Sequence, residues 1–167
     1  MIILGIDPGI ATVGYGVLEY NGVSFRTLAY GVISTKSGID VEERLRQVYV
    51  GTCELIEKYN PSEMAIEELF FNTNQKTAIT VAEARGVILL AARQHQLHIG
   101  EYTPLQVKQS VVGYGRAEKK QVIALVTMML KLQKPPKPDD AADALAIAVC
   151  HAHCGRSKMN AYYNLRT

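Results

Sequence analysis

Four carboxylates, Asp7, Glu67, Asp140 and Asp143, come from three separate segments and sit where packing alone gives them no task. Asp7 closes the apolar run Met1-Ile2-Ile3-Leu4-Gly5-Ile6, and Glu67 closes Met64-Ala65-Ile66. A short apolar run ending in an acid reads as a buried strand that surfaces at its tip. Asp140 and Asp143 open the alanine-rich stretch Asp139-Asp140-Ala141-Ala142-Asp143-Ala144-Leu145-Ala146. If the fold gathers these three segments, the product is a cluster of hard oxygen donors, which selects Mg²⁺ or Mn²⁺ over zinc.

Each acid taken alone also has an ordinary explanation. Asp, Pro and Gly in the order Asp7-Pro8-Gly9 are preferred turn residues. Glu67 could be a strand-end residue reaching solvent. Asp139 could cap a helix, and acids in a first turn complement the helix dipole, which accounts for one or two of the three aspartates. Asp140 and Asp143 share a helix face at i, i+3, but Asp139 and Asp143 do so at i, i+4. Spacing does not choose between those pairs. One shared site is a more economical account than four coincidences.

The elements that would have to position these acids can be read from periodicity. Ile2 to Asp7, Gly14 to Tyr20 and Ser24 to Ser34 read as a three-strand meander, with turns at Asp7-Pro8-Gly9 and Asn21-Gly22. From Val41 to Tyr59 the pattern is helical, with Leu45, Val48, Thr52, Cys53 and Ile56 on one face, and Asn60-Pro61 ends it. Glu63 to Leu69 reads as a fourth strand, and Thr77 to Gln96 as a helix with a small apolar face of Ala78, Val81, Ala82 and Ala92. His98 to Tyr102 reads as a fifth strand. Thr103-Pro104 caps and opens a short helix to Val112, and Glu118 to Lys131 forms an amphipathic one facing inward through Val122, Leu125, Val126, Met129 and Leu130. Three prolines within Lys134 to Pro138 make a rigid linker before a last helix, Asp139 to about Cys154. The expectation is one α/β domain over residues 1–155 with a mixed sheet of about five strands. Residues 156–167 are expected to form a loosely held tail.

Composition narrows the function classes. The chain has 167 residues, 48% hydrophobic and 20% charged, values of a soluble globular domain. No apolar run approaches the roughly 20 residues of a membrane span. The opening Met1-Ile2-Ile3-Leu4-Gly5-Ile6-Asp7 lacks the basic start of a signal peptide, and three cysteines without a C-x-x-C pair point to reduced thiols in a cytoplasm. Net charge is only +2, but setting four of the 16 acids aside leaves 18 basic residues against 12 acidic ones, a balance of +6. Once cations offset the acidic cluster, such a surface suits a polyanion, although charge alone equally allows a mildly basic protein without a special partner.

Two tempting motifs are set aside. In Cys150-His151-Ala152-His153-Cys154 the two thiols share a helix face from which the histidines turn away, so buried thiols beside surface histidines are expected rather than a zinc site. Gly113-Tyr114-Gly115 has Glu118 where a dinucleotide fingerprint needs its third glycine.

The chain resembles the RuvC family of Holliday junction resolvases, within the larger group of nucleases that share the ribonuclease H fold. The resemblance runs through Ile3-Leu4-Gly5-Ile6-Asp7-Pro8-Gly9, Gly14-Tyr15-Gly16-Val17, Ala65-Ile66-Glu67 with Phe70, and Ala84-Arg85-Gly86-Val87. It continues in Gln106-Val107-Lys108-Gln109-Ser110-Val111-Val112-Gly113, Ala117-Glu118-Lys119 and Asp140-Ala141-Ala142-Asp143-Ala144-Leu145-Ala146-Ile147-Ala148. It implies a sheet of three antiparallel strands followed by two parallel ones. It also selects Asp140 over Asp139, so the implied metal ligands are Asp7, Glu67, Asp140 and Asp143, holding two Mg²⁺ ions for which Mn²⁺ can substitute.

By the same resemblance, Lys119 stands near the scissile phosphate and Lys108 is a second basic position, while Phe70 stacks on an unpaired base. Arg116, Lys120, Lys76 and Arg85 are further candidates for phosphate contacts. The implied activity is symmetric, metal-dependent hydrolysis of two phosphodiester bonds in four-way junction DNA, leaving 5′-phosphate and 3′-hydroxyl ends, in recombination and repair. The implied assembly is a C₂ homodimer, working with a branch-migration motor complex of the RuvA-RuvB type. The small apolar face of the helix from Thr77 to Gln96 is expected to contribute to the dimer contact, and packing on its own sheet is an equal alternative. Rival readings are an actin-like ATPase, which needs two such domains, a junction binder without activity, and an RNA-directed nuclease of the same fold.

Overall fold

The computed structural model describes residues 1–69 and 75–164, without the side chains of residues 75–77 and 155–164. Five strands and five helices follow in the order β1 (Ile2–Asp7), β2 (Thr12–Tyr20), β3 (Phe25–Ser34), α1 (Val41–Tyr59), β4 (Glu63–Glu67), α2 (Gln75–Gln94), β5 (His98–Tyr102), α3 (Pro104–Val112), α4 (Lys119–Met129) and α5 (Asp139–Asn164). The sheet order is β3-β2-β1-β4-β5. β1 pairs antiparallel with β2 and β2 with β3, whereas β1–β4 and β4–β5 are parallel. This is the mixed sheet of a ribonuclease H-like fold expected from the sequence.

Period-two alternation divides the core between the two faces of the sheet. Leu4, Ile6, Val13, Val17, Met64 and Ile66 pack with Val48 and Ile56 of α1 and with Ile88, Ala91 and Ala92 of α2. Ile3, Leu18, Ala65 and Tyr102 pack on the other side, against Leu145 to Val149 of α5, Val107 and Val111 of α3, and Val122 and Val126 of α4. In β1 the residues out of phase with Leu4 and Ile6 are Ile3, Gly5 and Asp7, and in β4 the residues out of phase with Met64 and Ile66 are Glu63, Ala65 and Glu67. Asp7 and Glu67 therefore face α5.

Glycines let α5 descend onto that face. A Cβ on Gly14 would stand 2.1 Å from the Asp140 carbonyl oxygen, and one on Gly5 would stand 2.2 Å from that of Ala144. Real Cβ atoms do not approach backbone so closely, so the strand surface must be bare where the helix crosses.

Several boundaries differ from the sequence reading. α2 buries Ala84, Ile88, Ala91 and Ala92, so of the expected stripe only Ala92 is buried, while Ala78, Val81 and Ala82 are half-buried. It packs chiefly on α1, whose position no local pattern reveals. β4 stops at Glu67, and α5 continues past Cys154 to Asn164. The looseness expected of residues 156–167 falls on side chains and a terminus outside the described residues.

Candidate active site

β1 and β4 run parallel, so their C-terminal ends emerge at the same edge of the sheet, where open α/β sheets commonly bind ligands. The register pairs Ile6 with Ile66, placing the next residues, Asp7 and Glu67, side by side on adjacent strands. Asp7 is also paired with Gly14 on β2, the glycine beneath the Asp140 carbonyl. The first turn of α5 thus lands beside Asp7, and Asp143 follows one turn further along.

Electrostatics shows how closely the acids are gathered. The Asp7 carboxyl is pushed up to about 7, first by burial and then by the charges of Glu67, Asp143 and Asp140, with Lys119 opposing. Glu67 is also raised, by burial and then by Asp143, while Lys108 and Lys119 pull it down. Asp139 takes a different position, with one oxygen 3.6 Å from the Lys119 ammonium. Asp140, not Asp139, is the first-turn acid that acts on Asp7.

α3 and α4 supply the cationic side. Thr103 caps α3 reciprocally with Gln106, each side chain accepting from the other's backbone N–H, and Lys108 rides one turn further on. At α4, the Gln121 side chain accepts from the Glu118 backbone N–H at 2.9 Å, and buried Ala117 anchors the preceding loop. Lys119, the first residue of α4, then places its Nζ 2.9 Å from Asp143 Oδ2. That bond, followed by the surrounding aspartates, raises the Lys119 ammonium above its usual range. A cleft of about 180 Å³ opens between these groups, lined by Glu67, Lys108, Lys119 and Asp143 with Val107 and Val122 as apolar walls.

The donor set suits divalent cations. Its oxygens are all carboxylate, partly desolvated and mutually repelling, and a bound cation would cancel that repulsion. Among the described residues no three potential ligands are gathered closely enough to form a ready coordination shell, and Lys119 supplies the positive charge beside Asp143.

The remaining sequence candidates divide. Arg116 is exposed in the loop before α4, and Lys120 is exposed beside Lys119. Arg85 is turned inward, its side chain only 16% exposed and paired with Glu101. Phe70 lies outside the described residues, as does the Lys76 side chain.

His151 reverses the expectation of a surface histidine. It is buried against Tyr102, whose hydroxyl lies 2.9 Å from Nδ1, and its Nε2 meets Glu63. Nothing in Cys150-His151-Ala152-His153-Cys154 signals this, because its partners stand 49 and 88 residues away. Cys150 is buried as expected, and His153 is exposed.

Comparison with known proteins gives a consistent result. A family described as "Crossover junction endodeoxyribonuclease RuvC" matches residues 3–151. Proteins of that name from Alkaliphilus metalliredigens and Clostridioides difficile are 59% and 56% identical, each over 93% of this chain and over 94% and 92% of their own lengths. The Thermus thermophilus RuvC structure in complex with Holliday junction substrate superposes with a TM-score of 0.90 at 36% identity, covering 95% of this chain and 96% of that one. The yeast mitochondrial Holliday junction resolvase shares the fold at 15% identity, with a TM-score of 0.68 over 98% of this chain and 82% of that one. With its strand-tip acids, its crossing helix and a match along nearly its whole length, this chain belongs to the RuvC family of crossover junction endodeoxyribonucleases.

Proposed function

We propose that this protein is a Holliday junction resolvase, cutting two strands of like polarity in a four-way junction and leaving 5′-phosphate and 3′-hydroxyl ends. The observation that carries the proposal is the convergence of Asp7, Glu67, Asp140 and Asp143 beside a cleft walled by Lys108 and Lys119. Acids and lysines around one cleft suit a reaction that needs cations and also develops negative charge on phosphate.

The family's nucleases depend on a metal. Here the four carboxylates would hold two Mg²⁺ ions, with Mn²⁺ an acceptable substitute, supplying activation of water and of the leaving 3′-oxygen. The protein's own part is to orient and to balance charge. Asp7 stands between Glu67 on β4 and the Asp140 end of α5, at the centre of the carboxylates that would hold the ions. The ammonium of Lys119 stands at the mouth of the acid cluster, where it can move from Asp143 to a phosphoryl oxygen and stabilise charge in the transition state. Lys108 lines the same cleft and is a second phosphate-facing cation. Arg116 and Lys120 extend this positive edge; Lys76 would add a further phosphate contact, and by the family resemblance Phe70 would stack on an unpaired base.

Two such sites are needed to cut two strands, and a homodimer provides them. On α2 the solvent face presents Ile79 at 60% exposure and Leu90 at 52%, with Gly86 open between them. A second copy packing there would cover apolar surface and use the bare glycine for close approach. Work beside a branch-migration motor complex in the cytoplasm fits this reading, and among the described residues no helix is long and apolar enough to cross a membrane.

The test is cleavage of a synthetic four-way junction beside a linear duplex of the same sequence, with Mg²⁺, Mn²⁺ or Ca²⁺. Paired symmetric nicks in the junction alone are expected with Mg²⁺ or Mn²⁺. They should vanish in Asp143→Asn and in Ca²⁺ while binding persists. Equal cutting of the linear duplex would refute the substrate assignment.

A further inference from the structure

Arg85 stands on α2, and no step of the proposed reaction uses it. Its Nε donates to the main-chain carbonyl of Glu67 at 3.2 Å, and its Nη2 pairs with the Glu101 carboxylate on β5. One guanidinium therefore ties α2, β4 and β5 together at the point where β4 ends. The other side of the same peptide is held by β5, where the Glu68 N–H donates to the Tyr102 carbonyl at 2.9 Å. The backbone around Glu67 is thus fixed by two attachments, one on each side of its carboxyl-terminal peptide.

We infer that Arg85 is a positioning residue for Glu67, holding the peptide so that the carboxylate projects into the cleft at a set angle. The inference rests on the reading of Glu67 as a cation ligand. Three observations favour this role over contact with DNA phosphate. The Arg85 side chain is 16% exposed, its fork is engaged by two partners, and one of those partners is an acid that would repel a phosphate. Planar, directional donors fix orientation in a way that a lysine ammonium cannot reproduce. Partners that orient a ligand typically change metal affinity by 10- to 100-fold when removed.

The experiment compares wild-type protein with Arg85→Ala and Glu101→Gln by two readouts that do not need turnover. Mn²⁺ alone is titrated into the protein and followed by the electron paramagnetic resonance of the free ion. Binding of a four-way junction is measured in Ca²⁺ over a range of NaCl concentrations. Arg85→Ala is expected to bind Mn²⁺ about tenfold more weakly, with the salt slope of junction binding unchanged. Glu101→Gln keeps the guanidinium but loses its anchor, so Mn²⁺ binding should weaken in the same direction and by less. That variant carries the test if Arg85→Ala does not fold. A salt slope lowered by about one with Mn²⁺ affinity intact would instead make Arg85 a phosphate contact. Unchanged Mn²⁺ affinity in both variants would also overturn the inference. If wild-type protein binds no Mn²⁺ and cuts no junction, the reading of the acid site falls first and takes this inference with it.

Discussion

Gly14 lies directly beneath the main-chain carbonyl of Asp140, so close that a single added methyl would stand 2.1 Å from that oxygen. Because Gly14 is also the register partner of Asp7, this contact sets how near the first turn of α5 comes to the tip of β1. Gly14→Ala must push the helix terminus away. The expected result is a loss of about 1–3 kcal/mol of stability, as for other overpacked sites. Displacing the acids by an ångström should slow junction cleavage about 100-fold. Urea denaturation and single-turnover cleavage check the two together, and a variant with unchanged cleavage would show that the site tolerates movement of α5.

The ion pair between Lys119 and Asp143 is short, but the lysine side chain is 53% exposed. Such pairs contribute about 0–1 kcal/mol to stability. Lys119→Met should therefore leave the unfolding midpoint nearly unchanged while lowering the cleavage rate by about 10²–10³, the effect of removing one charge-stabilising donor. Junction binding in Ca²⁺ separates this from lost affinity. Equal losses in binding and in cleavage rate would reduce Lys119 to a DNA anchor.

Much of the fold was legible because local and global signals agree. The run Ile2 to Asp7 and the helix Val41 to Tyr59 fall where periodicity places them, and Thr103 caps α3 as its sequence suggests. The strand tips at Asp7 and Glu67 could also be read, since an apolar run closed by a carboxylate marks where a buried strand surfaces. A turn at Asp7 and a solvent-reaching end at Glu67, however, explained each acid alone equally well. Resemblance was needed to choose Asp140 over Asp139, because i, i+3 and i, i+4 both lie on one helix face, and only the crossing angle of α5 on Gly5 and Gly14 decides which meets Asp7. The buried face of α2, the engagement of Arg85 and the burial of His151 were not legible. Each depends on a partner far along the chain, and no period within a helix encodes that.

His151 links β5 to the start of β4, and its loss should be a matter of stability alone. In His151→Leu the buried Tyr102 hydroxyl and Glu63 both lose a partner, a cost of about 1–3 kcal/mol. The cleavage rate should stay within about twofold of wild type, since the triad touches none of the four acids. Glu63 is held below its usual carboxyl range, chiefly by the bond to His151. A lowered carboxyl stabilises the fold above its unfolded value and loses that contribution as pH falls through the folded one. The stability gap between wild type and His151→Leu should therefore be full at neutral pH and narrow in acid. Denaturant melts at pH 7 and pH 4 test this, and a gap that widens in acid would sink it.

The opposite sign applies at Asp7, whose carboxyl is pushed from 3.8 to about 7 by burial and by its acidic neighbours. The folded protein free of metal keeps a proton there that the unfolded chain releases, so its stability falls as pH rises from about 4 to 7. Asp7→Asn removes this penalty. The variant should match wild type near pH 4 and exceed it at pH 8 by up to about 4 kcal/mol, an upper bound for a shift of this size. Mg²⁺ or Mn²⁺ reverses the order, because cations compensate the ionised carboxylates of wild type and find one ligand fewer in the variant. Cation uptake must displace the Asp7 proton, so junction cleavage by wild type should climb with pH through about 7. Thermal unfolding of both proteins at pH 4.5 and pH 8, with chelator and then with Mn²⁺, checks the whole chain of argument. If Asp7→Asn is no more stable than wild type at pH 8 in chelator, the Asp7 carboxyl is not carrying the repulsion assigned to it.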